Sequence, residues 1–369
     1  MKKLFAVILS LILAFSVSAC SSENSGKSKP AETVATESSF DVKKNMDSVL
    51  KHQDFEGIVY LTKNGTVVYQ SVSGKDEKGN DLTVDSKMYI GSISKQFCAT
   101  AIMMLSEQGK LSLDDTLDIY YPKYSAGKDI TLKNLLSMRS GIPDMVVKTP
   151  EPAVEVKELS PDKTEEENVA AIKKWIFSQS LVAKPDTEFA YCNANYFLLS
   201  DIVQQVSGKN YEDFIRENIF KPLEMTNSGF LKEVKDNPKF APGLTYASFV
   251  VGEESAGLTR GAGDIVSNAI DMDKWMTALS GGKIISKESY EAMTTDYSPE
   301  ISNKYGYGLS GSYDGGWGHS GLIGNYTSFD YINEKYGYNL FIADNTAYMN
   351  IESLPLELLT DLFTTLKSK

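Results

Sequence analysis

The chain has 369 residues, of which 42% are hydrophobic and 11% aromatic, so it can bury one large core or two modest ones. This composition excludes a mainly disordered protein. The formal net charge of −12 argues against nucleic-acid binding, because contacts with phosphates need a basic surface.

The first 20 residues have the pattern of an export signal. Two lysines precede an apolar run over residues 4–15, which is too short for a permanent membrane-spanning helix. The run ends in Val-Ser-Ala-Cys, which resembles a bacterial lipobox. We therefore expect residues 1–19 to be a lipoprotein signal peptide and Cys20 to carry a lipid that anchors the chain outside the cytoplasm. An ordinary secretory leader, with Cys20 incidental, is the alternative.

Residues 20–43 are rich in Ser, Thr, Glu, Lys and Ala, which is typical of a flexible tether. The folded domain is predicted over 44–369. It begins with a helix over 45–52, followed by two strand-like runs on either side of Asn64-Gly65. Asn-Gly between two such runs is a strong hairpin signal.

The next apolar run reaches Gly91, where a helical pattern begins and continues to about Gly109. Ser92 and Lys95 share one face of its first turn. A hydroxyl beside an ammonium at a helix N-terminus is a candidate nucleophile, and the backbone N–H groups there can stabilise an oxyanion.

The middle of the chain, over about 116–229, is predicted to be an all-helical insert. Helical spacing occurs over 130–140, 166–180 and 195–206, whereas residues 145–165 carry charges and prolines and predict a long surface loop.

The last part returns to strand-like patterns, which predict a helix over 267–279, strands over 305–309, 322–332 and 338–344, and a terminal helix over 353–366. The fold class indicated is α+β. One sheet is built from both chain ends, over about 44–115 and 230–369, and is flanked by helices.

Metal or disulfide chemistry is not expected. Cys98 and Cys192 are the only cysteines beyond the leader, and a chain with a large core needs no disulfide. The two histidines, His52 and His319, and these cysteines have no metal-ligand spacing, so neither a metal nor another cofactor is predicted.

Three short motifs carry the candidate chemistry. The first is Ser92-x-x-Lys95, although Ser-x-x-Lys also occurs at four other places, and a serine here can simply cap a helix.

The second motif is Tyr191-x-Asn193, just before a helical pattern. A tyrosine is a useful base only if its pKa of about 10 is lowered, which a nearby lysine would do. A half-buried tyrosine beside a loop asparagine is the alternative.

The third motif is His319-Ser320-Gly321, followed by Leu322, in a glycine-rich stretch where another backbone can approach closely. A lone histidine is also often structural.

In this order, the three motifs resemble those of the class C β-lactamase-related serine hydrolases, the superfamily of penicillin-binding proteins, D-Ala-D-Ala carboxypeptidases and esterases. Stretches such as Ser140-Gly-Ile-Pro and the run over 256–265 are similar too.

The resemblance implies a β-lactamase/transpeptidase-like fold and a two-step acyl transfer. Ser92 would attack a carbonyl, while Lys95 and Tyr191 would move its proton. The backbone N–H groups of Ser92 and Leu322 would hold the oxyanion. Asn193 would position Lys95 and a substrate amide.

The third motif departs from the Lys-Thr-Gly of many relatives. A lysine gives a fixed positive charge near a substrate carboxylate, which His319 provides only partly at neutral pH. The expected substrates are small D-amino-acid peptides, amides or esters of the cell envelope. A true β-lactamase acting on β-lactam-like substrates, and a penicillin-binding sensor that acylates without turnover, remain alternatives.

Overall fold

The computed structural model describes residues 42–147, 153–160, 162–230, 237–242, 257–346 and 353–367. The predicted signal peptide, Cys20 and nearly all of the predicted tether lie outside these residues. Within the described ranges, no helix is both long and apolar enough to cross a membrane.

A six-stranded antiparallel sheet forms the main layer, in the order β2-β1-β11-β10-β9-β8. Its strands are β1 (Ile58–Lys63), β2 (Thr66–Val72), β8 (Ser310–Gly311), β9 (Trp317–Ile323), β10 (Tyr326–Asn333) and β11 (Tyr338–Asp344). The two ends of the chain meet where β1 pairs with β11. This topology confirms the predicted α+β class and the sheet built from both chain ends.

The turn between β1 and β2 confirms the predicted hairpin. Asn64 and Gly65 have φ angles of +49° and +75°. Positive φ at both central residues is the type I′ geometry that matches the twist of a two-residue hairpin.

Helices cover both faces of the sheet. Their bounds are α1 (Val42–His52), α8 (Ala269–Ser280) and α10 (Ser353–Lys367). Phe363 of α10 packs edge-to-face on Tyr338 of β11, whereas the amide of Asn339, the next residue of β11, donates to Asp273 and Thr277 of α8. Successive strand residues face opposite sides, so α8 and α10 lie on opposite faces.

The central helix, α2 (Ser94–Glu107), follows a single 3₁₀ turn at Gly91–Ile93. It is buried nearly all round, since it lies between the sheet and the other helices. Phe97 stacks on Trp275 with ring centroids 3.9 Å apart. Gln96 is fully buried and paired, with its Nε2 donating to Asp330 and its Oε1 accepting from Trp275. Residues placed on α2 are therefore held firmly.

A helical region follows α2. Its elements are α3 (Leu117–Tyr120), α4 (Leu132–Leu136), α5 (Glu165–Ser178), α6 (Asn193–Ser207) and α7 (Tyr211–Ile215). It also contains a small hairpin of β4 (Val146–Val147) and β5 (Ala153–Val154), which lies inside the predicted loop over 145–165. The prediction of an all-helical insert is therefore wrong at this hairpin. The predicted helix over 130–140 is confined to the five residues of α4.

A second, three-stranded sheet pairs β3 (Met88–Tyr89) with β7 (Ile265–Ser267), and β7 with β6 (Gly229–Phe230). It leads directly into the 3₁₀ turn before α2. Helix α9 (Lys287–Met293) follows α8.

Two predicted strands are wrong in detail. Residues 305–309 form no strand, because Gly306 and Gly308 let this segment pack on other backbone: a β-carbon at Gly308 would lie 2.7 Å from the Lys95 carbonyl oxygen. The predicted strand over 322–332 is in fact the end of β9 and most of β10, joined by a turn at Gly324, where φ is +55°.

Candidate active site

Ser92 lies in the 3₁₀ turn between β3 and α2, and a close approach of two backbones fixes this turn. Gly91 has φ of +50°, and a β-carbon built on it would lie 2.8 Å from the backbone nitrogen of Leu322. A β-carbon at Gly321 would lie 2.1 Å from the carbonyl oxygen of Ile90. Both glycines are therefore required for β9 to lie against the turn.

Lys95 is in the first turn of α2 and fully buried, and its Nζ has three hydrogen-bond acceptors. They are Ser92 Oγ at 3.0 Å, Asn193 Oδ1 at 2.9 Å and the carbonyl oxygen of Ala262 at 2.8 Å. An ammonium donates three N–H groups, so this set satisfies it. If the amine is neutral, Ser92 is the one member of the three that can donate to it, because amide and carbonyl oxygens only accept. The geometry thus suits proton transfer between Ser92 and Lys95.

Tyr191 completes the surroundings of the Ser92 hydroxyl, with its own hydroxyl donating to Ser92 Oγ at 2.8 Å. Lys95 Nζ lies 4.9 Å from the centroid of the Tyr191 ring. Burial raises the pKa of Tyr191 above its ordinary value; the Ser92 hydrogen bond opposes this, and the charge of Asp144 adds to it. The expectation that the pKa of Tyr191 is lowered is therefore wrong for this state, and the phenol is protonated.

Asn193 begins α6 and is held by Asp144, a residue that the sequence motifs did not single out. Asp144 Oδ1 accepts from the backbone N–H of Asn193, and Oδ2 accepts from its Nδ2, each at 2.9 Å. A carboxylate can only accept and Lys95 can only donate to Oδ1, so both partners fix the same amide orientation. Asn193 therefore directs its oxygen to Lys95.

His319 is on β9 and almost buried, with 6% of its surface exposed. Its Nδ1 lies 2.6 Å from the carbonyl oxygen of Ser320, and its Nε2 lies 3.2 Å from the hydroxyl of Tyr305. A carbonyl oxygen only accepts, so Nδ1 carries a proton. The backbone N–H of His319 donates at 2.7 Å to Asp330, whose burial raises its pKa to about 7. His319 is thus positioned through its backbone and both ring nitrogens.

The predicted oxyanion donors meet at the turn. Ile323 and Tyr326 close the two-residue turn between β9 and β10. Such a turn is closed by a hydrogen-bonded pair, and N–H groups alternate in direction along an antiparallel strand. The N–H of Leu322 therefore points away from β10, while its side chain is 59% exposed. Together with the close approach at Gly91, this places the Leu322 N–H beside the turn that carries Ser92.

The predicted residues of the three motifs thus lie on three segments that meet at one site: the 3₁₀ turn with the first turn of α2, the residues that lead into α6, and β9. Three neighbours were not predicted from the sequence: Asp144, Tyr305 and the carbonyl of Ala262. Ala262 lies in the 256–265 run that the resemblance had pointed to, and Asp144 directly follows Ser140-Gly-Ile-Pro.

The described residues contain neither a candidate metal site nor a disulfide. No group of three or more His, Cys, Asp or Glu residues in these ranges is arranged to hold a metal ion. Cys98 and Cys192 are both buried and free, and burial raises the pKa of each thiol.

Comparisons with known proteins agree over most of the chain. A protein-family model described as Beta-lactamase matches residues 42–352. The "Putative penicillin-binding protein PbpX" of Bacillus subtilis (strain 168) is 32% identical over 343 residues, which is 84% of this chain and 82% of that protein.

Two solved structures show the same architecture. The octameric penicillin-binding protein homologue from Pyrococcus abyssi is 28% identical with a TM-score of 0.72, covering 88% of this chain and 77% of that one. The D-amino acid amidase from Ochrobactrum anthropi SV3 is 25% identical with a TM-score of 0.70, covering 89% of this chain and 100% of that one.

Proposed function

The chain belongs to the β-lactamase family of serine hydrolases, and on this basis we propose that it hydrolyses D-amino-acid amides, esters or short peptides through an acyl-enzyme on Ser92. The family resemblance drawn from the three motifs is confirmed. The reaction, the substrate and the cellular location are the proposal.

The observation that carries the proposal is that Ser92 Oγ lies within hydrogen-bond distance of both Lys95 Nζ, at 3.0 Å, and the Tyr191 hydroxyl, at 2.8 Å. In acylation, a neutral Lys95 takes the Ser92 proton as the oxygen attacks the substrate carbonyl. Tyr191, which is protonated, gives its proton to the leaving group. The amine or alcohol leaves, Lys95 is then an ammonium, and Tyr191 is a phenolate.

Deacylation reverses these roles with water as the nucleophile. The Tyr191 phenolate takes a proton from water as its oxygen attacks the acyl carbon. Ser92 leaves and recovers its proton from the Lys95 ammonium. Each group returns to its starting state, so the cycle balances without any further proton donor.

The charge that develops on the carbonyl oxygen would be held by two backbone N–H groups, those of Ser92 and Leu322. They belong to segments locked together at Gly91 and Gly321. Because these donors are fixed before the substrate arrives, they cost little reorganisation in the transition state.

The preference for D-amino-acid derivatives is supported by the D-amino acid amidase from Ochrobactrum anthropi SV3, whose fold this chain shares. His319 stands where β-lactamases and many carboxypeptidases of the superfamily have a lysine. Its ring is engaged by Ser320 and Tyr305. A site of this kind favours leaving groups without a carboxylate, which points to amides and esters before carboxypeptidase substrates and β-lactams.

The cellular location of the protein is proposed only from the predicted signal peptide over residues 1–19 and the cysteine that follows it. Lipid attachment at Cys20 would hold the enzyme at the outer face of the cell membrane, close to the cell-envelope polymers. Metabolic labelling with a fatty-acid analogue tests this directly: label should appear in the wild-type chain and be lost in Cys20→Ser.

The catalytic proposal is tested with a fluorophosphonate probe and with paired D and L amino-acid amides and esters. Peptide mass spectrometry should find the adduct on Ser92, and Ser92→Ala should lose both labelling and turnover. Labelling by fluorescent penicillin and turnover of nitrocefin are measured in parallel. Nitrocefin turnover above that of the D-amides would favour a β-lactamase, and a penicillin adduct without any steady-state turnover would favour a sensor.

A further inference from the structure

A cluster of charged side chains outside the three motifs fastens the segment that carries Tyr191. Arg139 donates through Nε to Asp186 Oδ1 and through Nη2 to the carbonyl oxygen of Asp186, each at 3.0 Å. Its Nη1 donates to Glu300 Oε1. The same oxygen of Glu300 accepts from the backbone N–H of Phe189 at 2.7 Å. Three segments that are distant in the sequence are therefore joined two residues before Tyr191.

The segment before Tyr191 is held from two directions by different kinds of group. The backbone N–H of Ala190 donates to the carbonyl oxygen of Met138 at 2.8 Å. The preceding N–H, that of Phe189, is instead accepted by the side chain of Glu300. A substitution at Glu300 therefore removes one of these two supports and leaves the backbone support in place.

The contribution of the cluster to overall stability does not account for it. The side chain of Arg139 is 13% exposed, whereas those of Glu300 and Asp186 are 36% and 76% exposed. Ion pairs with partners this exposed contribute little to the free energy of unfolding. The pKa of Glu300 is lowered, first by its own backbone N–H and then by Arg139 and the N–H of Phe189. Glu300 is therefore charged at neutral pH, and its hydrogen bond to Phe189 is of the strong, directional kind.

The fastened segment lies directly against the reacting groups. The ring of Tyr305 packs between those of Phe189 and Tyr191, with centroids 5.3 Å and 6.2 Å away. The hydroxyl of Tyr305 lies 3.2 Å from His319 Nε2, and that of Tyr191 lies 2.8 Å from Ser92 Oγ. A shift of Phe189 would therefore reach Tyr191 both along the chain and through the ring of Tyr305.

We propose that Glu300, held by Arg139, is a positioning residue that keeps the Tyr191 hydroxyl in line with the leaving group, so that it sets how well the enzyme cleaves amides. This inference rests on the proposed function of the same site. Glu300 acts through the backbone of Phe189 and not by contact with the substrate. An amine needs a proton as it leaves, whereas p-nitrophenolate does not, so a displaced Tyr191 slows amides much more than activated esters.

The test compares the amide and the p-nitrophenyl ester of D-alanine in the variant Glu300→Ala. We expect kcat for the amide to fall about tenfold with KM unchanged, because a small displacement of a catalytic group is costly. Single-turnover acylation by the ester should stay within about twofold of wild type. Rates are expressed per Ser92 titrated with the fluorophosphonate, so a fraction of unfolded protein does not enter them.

Two further variants show which property of Glu300 matters. Glu300→Gln keeps an oxygen that can accept from the N–H of Phe189, and it should recover most of the amide kcat. A glutamine variant as slow as the alanine variant would contradict positioning through this hydrogen bond. Glu188→Ala is the matched control, because it removes an exposed carboxylate next to Phe189 on the same segment. It should change neither substrate.

A double-mutant cycle tests whether Glu300 acts through Tyr191. In a Tyr191→Phe background the acid is already absent, so Glu300→Ala should cause little further loss on the amide. A general disturbance of the site would instead cost a similar factor in both backgrounds, or slow the amide and the ester equally. Either of these results would overturn the inference.

Failure of this inference is distinguishable from failure of the proposed function. If the wild-type enzyme cleaves both substrates and Glu300→Ala cleaves the amide at the wild-type rate, the role of Glu300 is wrong and the hydrolase remains. If the wild-type enzyme cleaves the ester alone, the role is also wrong, since no amide cleavage depends on it. If Ser92 is not labelled and neither substrate is cleaved, the proposed function itself fails.

Discussion

The hydroxyl of Tyr191 donates a hydrogen bond to Ser92 Oγ at 2.8 Å, from a phenol whose pKa is raised by burial. A protonated phenol cannot serve as a base, but it carries a proton that it can give to a strongly basic leaving group. Tyr191 is therefore suited to protonate a leaving group in the first half of the reaction, and Lys95 to receive the Ser92 proton.

This division of roles predicts that Tyr191→Phe affects substrates unequally. An amide leaves as a strongly basic amine and needs a proton, whereas p-nitrophenolate leaves without one. We expect kcat/KM for a D-amino-acid amide to fall about 10²–10⁴-fold and that for the p-nitrophenyl ester to fall much less in single-turnover acylation. Tyr297→Phe is the control and should change neither. Equal losses on both substrates would show that Tyr191 is not the acid.

The close approach at Gly91 predicts a large effect from one added methyl group. Gly91→Ala combines a positive φ of +50° with a β-carbon 2.8 Å from the Leu322 nitrogen. We expect a loss of about 3 kcal/mol in the free energy of unfolding and a fall in kcat of about 10²-fold, because the two oxyanion donors are forced apart.

Gly109→Ala is the matched control for this variant. Gly109 has a similar φ of +65°, but a β-carbon built on it would have no atom of the described residues within 4 Å. The Gly109→Ala substitution should lower the free energy of unfolding, measured by urea denaturation, by about 1–2 kcal/mol and leave kcat unchanged. If Gly91→Ala behaves in the same way, the contact between the turn and β9 does not position the donors.

The buried thiols give a third prediction. Cys98 and Cys192 are free, and burial raises the pKa of both, so neither is a reactive thiolate. In a chain carrying Cys20→Ser, Ellman's reagent should detect no thiol in the native protein and two after denaturation. Rapid reaction of one thiol under native conditions would mean that the core around α2 or α6 opens easily.

The parts of the fold that local chemistry decides were predictable from the sequence. The turn at Asn64-Gly65 needs positive φ at both residues, and the sequence supplies residues that adopt it. The start of α2 and the terminal helix α10 follow from apolar spacing. The short motifs at Ser92, Tyr191 and His319 were found because the three occur together in a recognisable order, although Ser-x-x-Lys alone also occurs at four other places.

What the sequence did not reveal depends on contacts between distant segments. The strand β9 is rich in glycine because Gly321 lies against Ile90, so β-propensity alone does not identify it. The segment over 305–309 has strand-like residues but packs through Gly308 on α2 and through Gly306 on Met293 at the end of α9. Asp144 follows a proline and has the sequence of an ordinary turn; only the fold brings it to Asn193, 49 residues away.

The last prediction concerns Asp264, two residues from the Ala262 carbonyl that accepts from Lys95. Burial raises its pKa to about 7, and its Oδ1 has no hydrogen-bond partner among the described residues. An unfolded aspartate has a pKa of about 4, so between pH 4 and pH 7 the folded chain binds a proton that the unfolded chain does not. The contribution of Asp264 to the free energy of unfolding therefore falls as pH rises through this window, by on the order of 2–4 kcal/mol.

The variant Asp264→Asn removes this titration, and its amide oxygen can still accept from the backbone N–H of Gly261. In urea denaturation the variant should gain stability relative to wild type on going from pH 4.5 to pH 7.5, whereas Asp81→Asn, at an exposed position, should follow wild type. A constant difference between Asp264→Asn and wild type across this range would mean that Asp264 is ionised throughout.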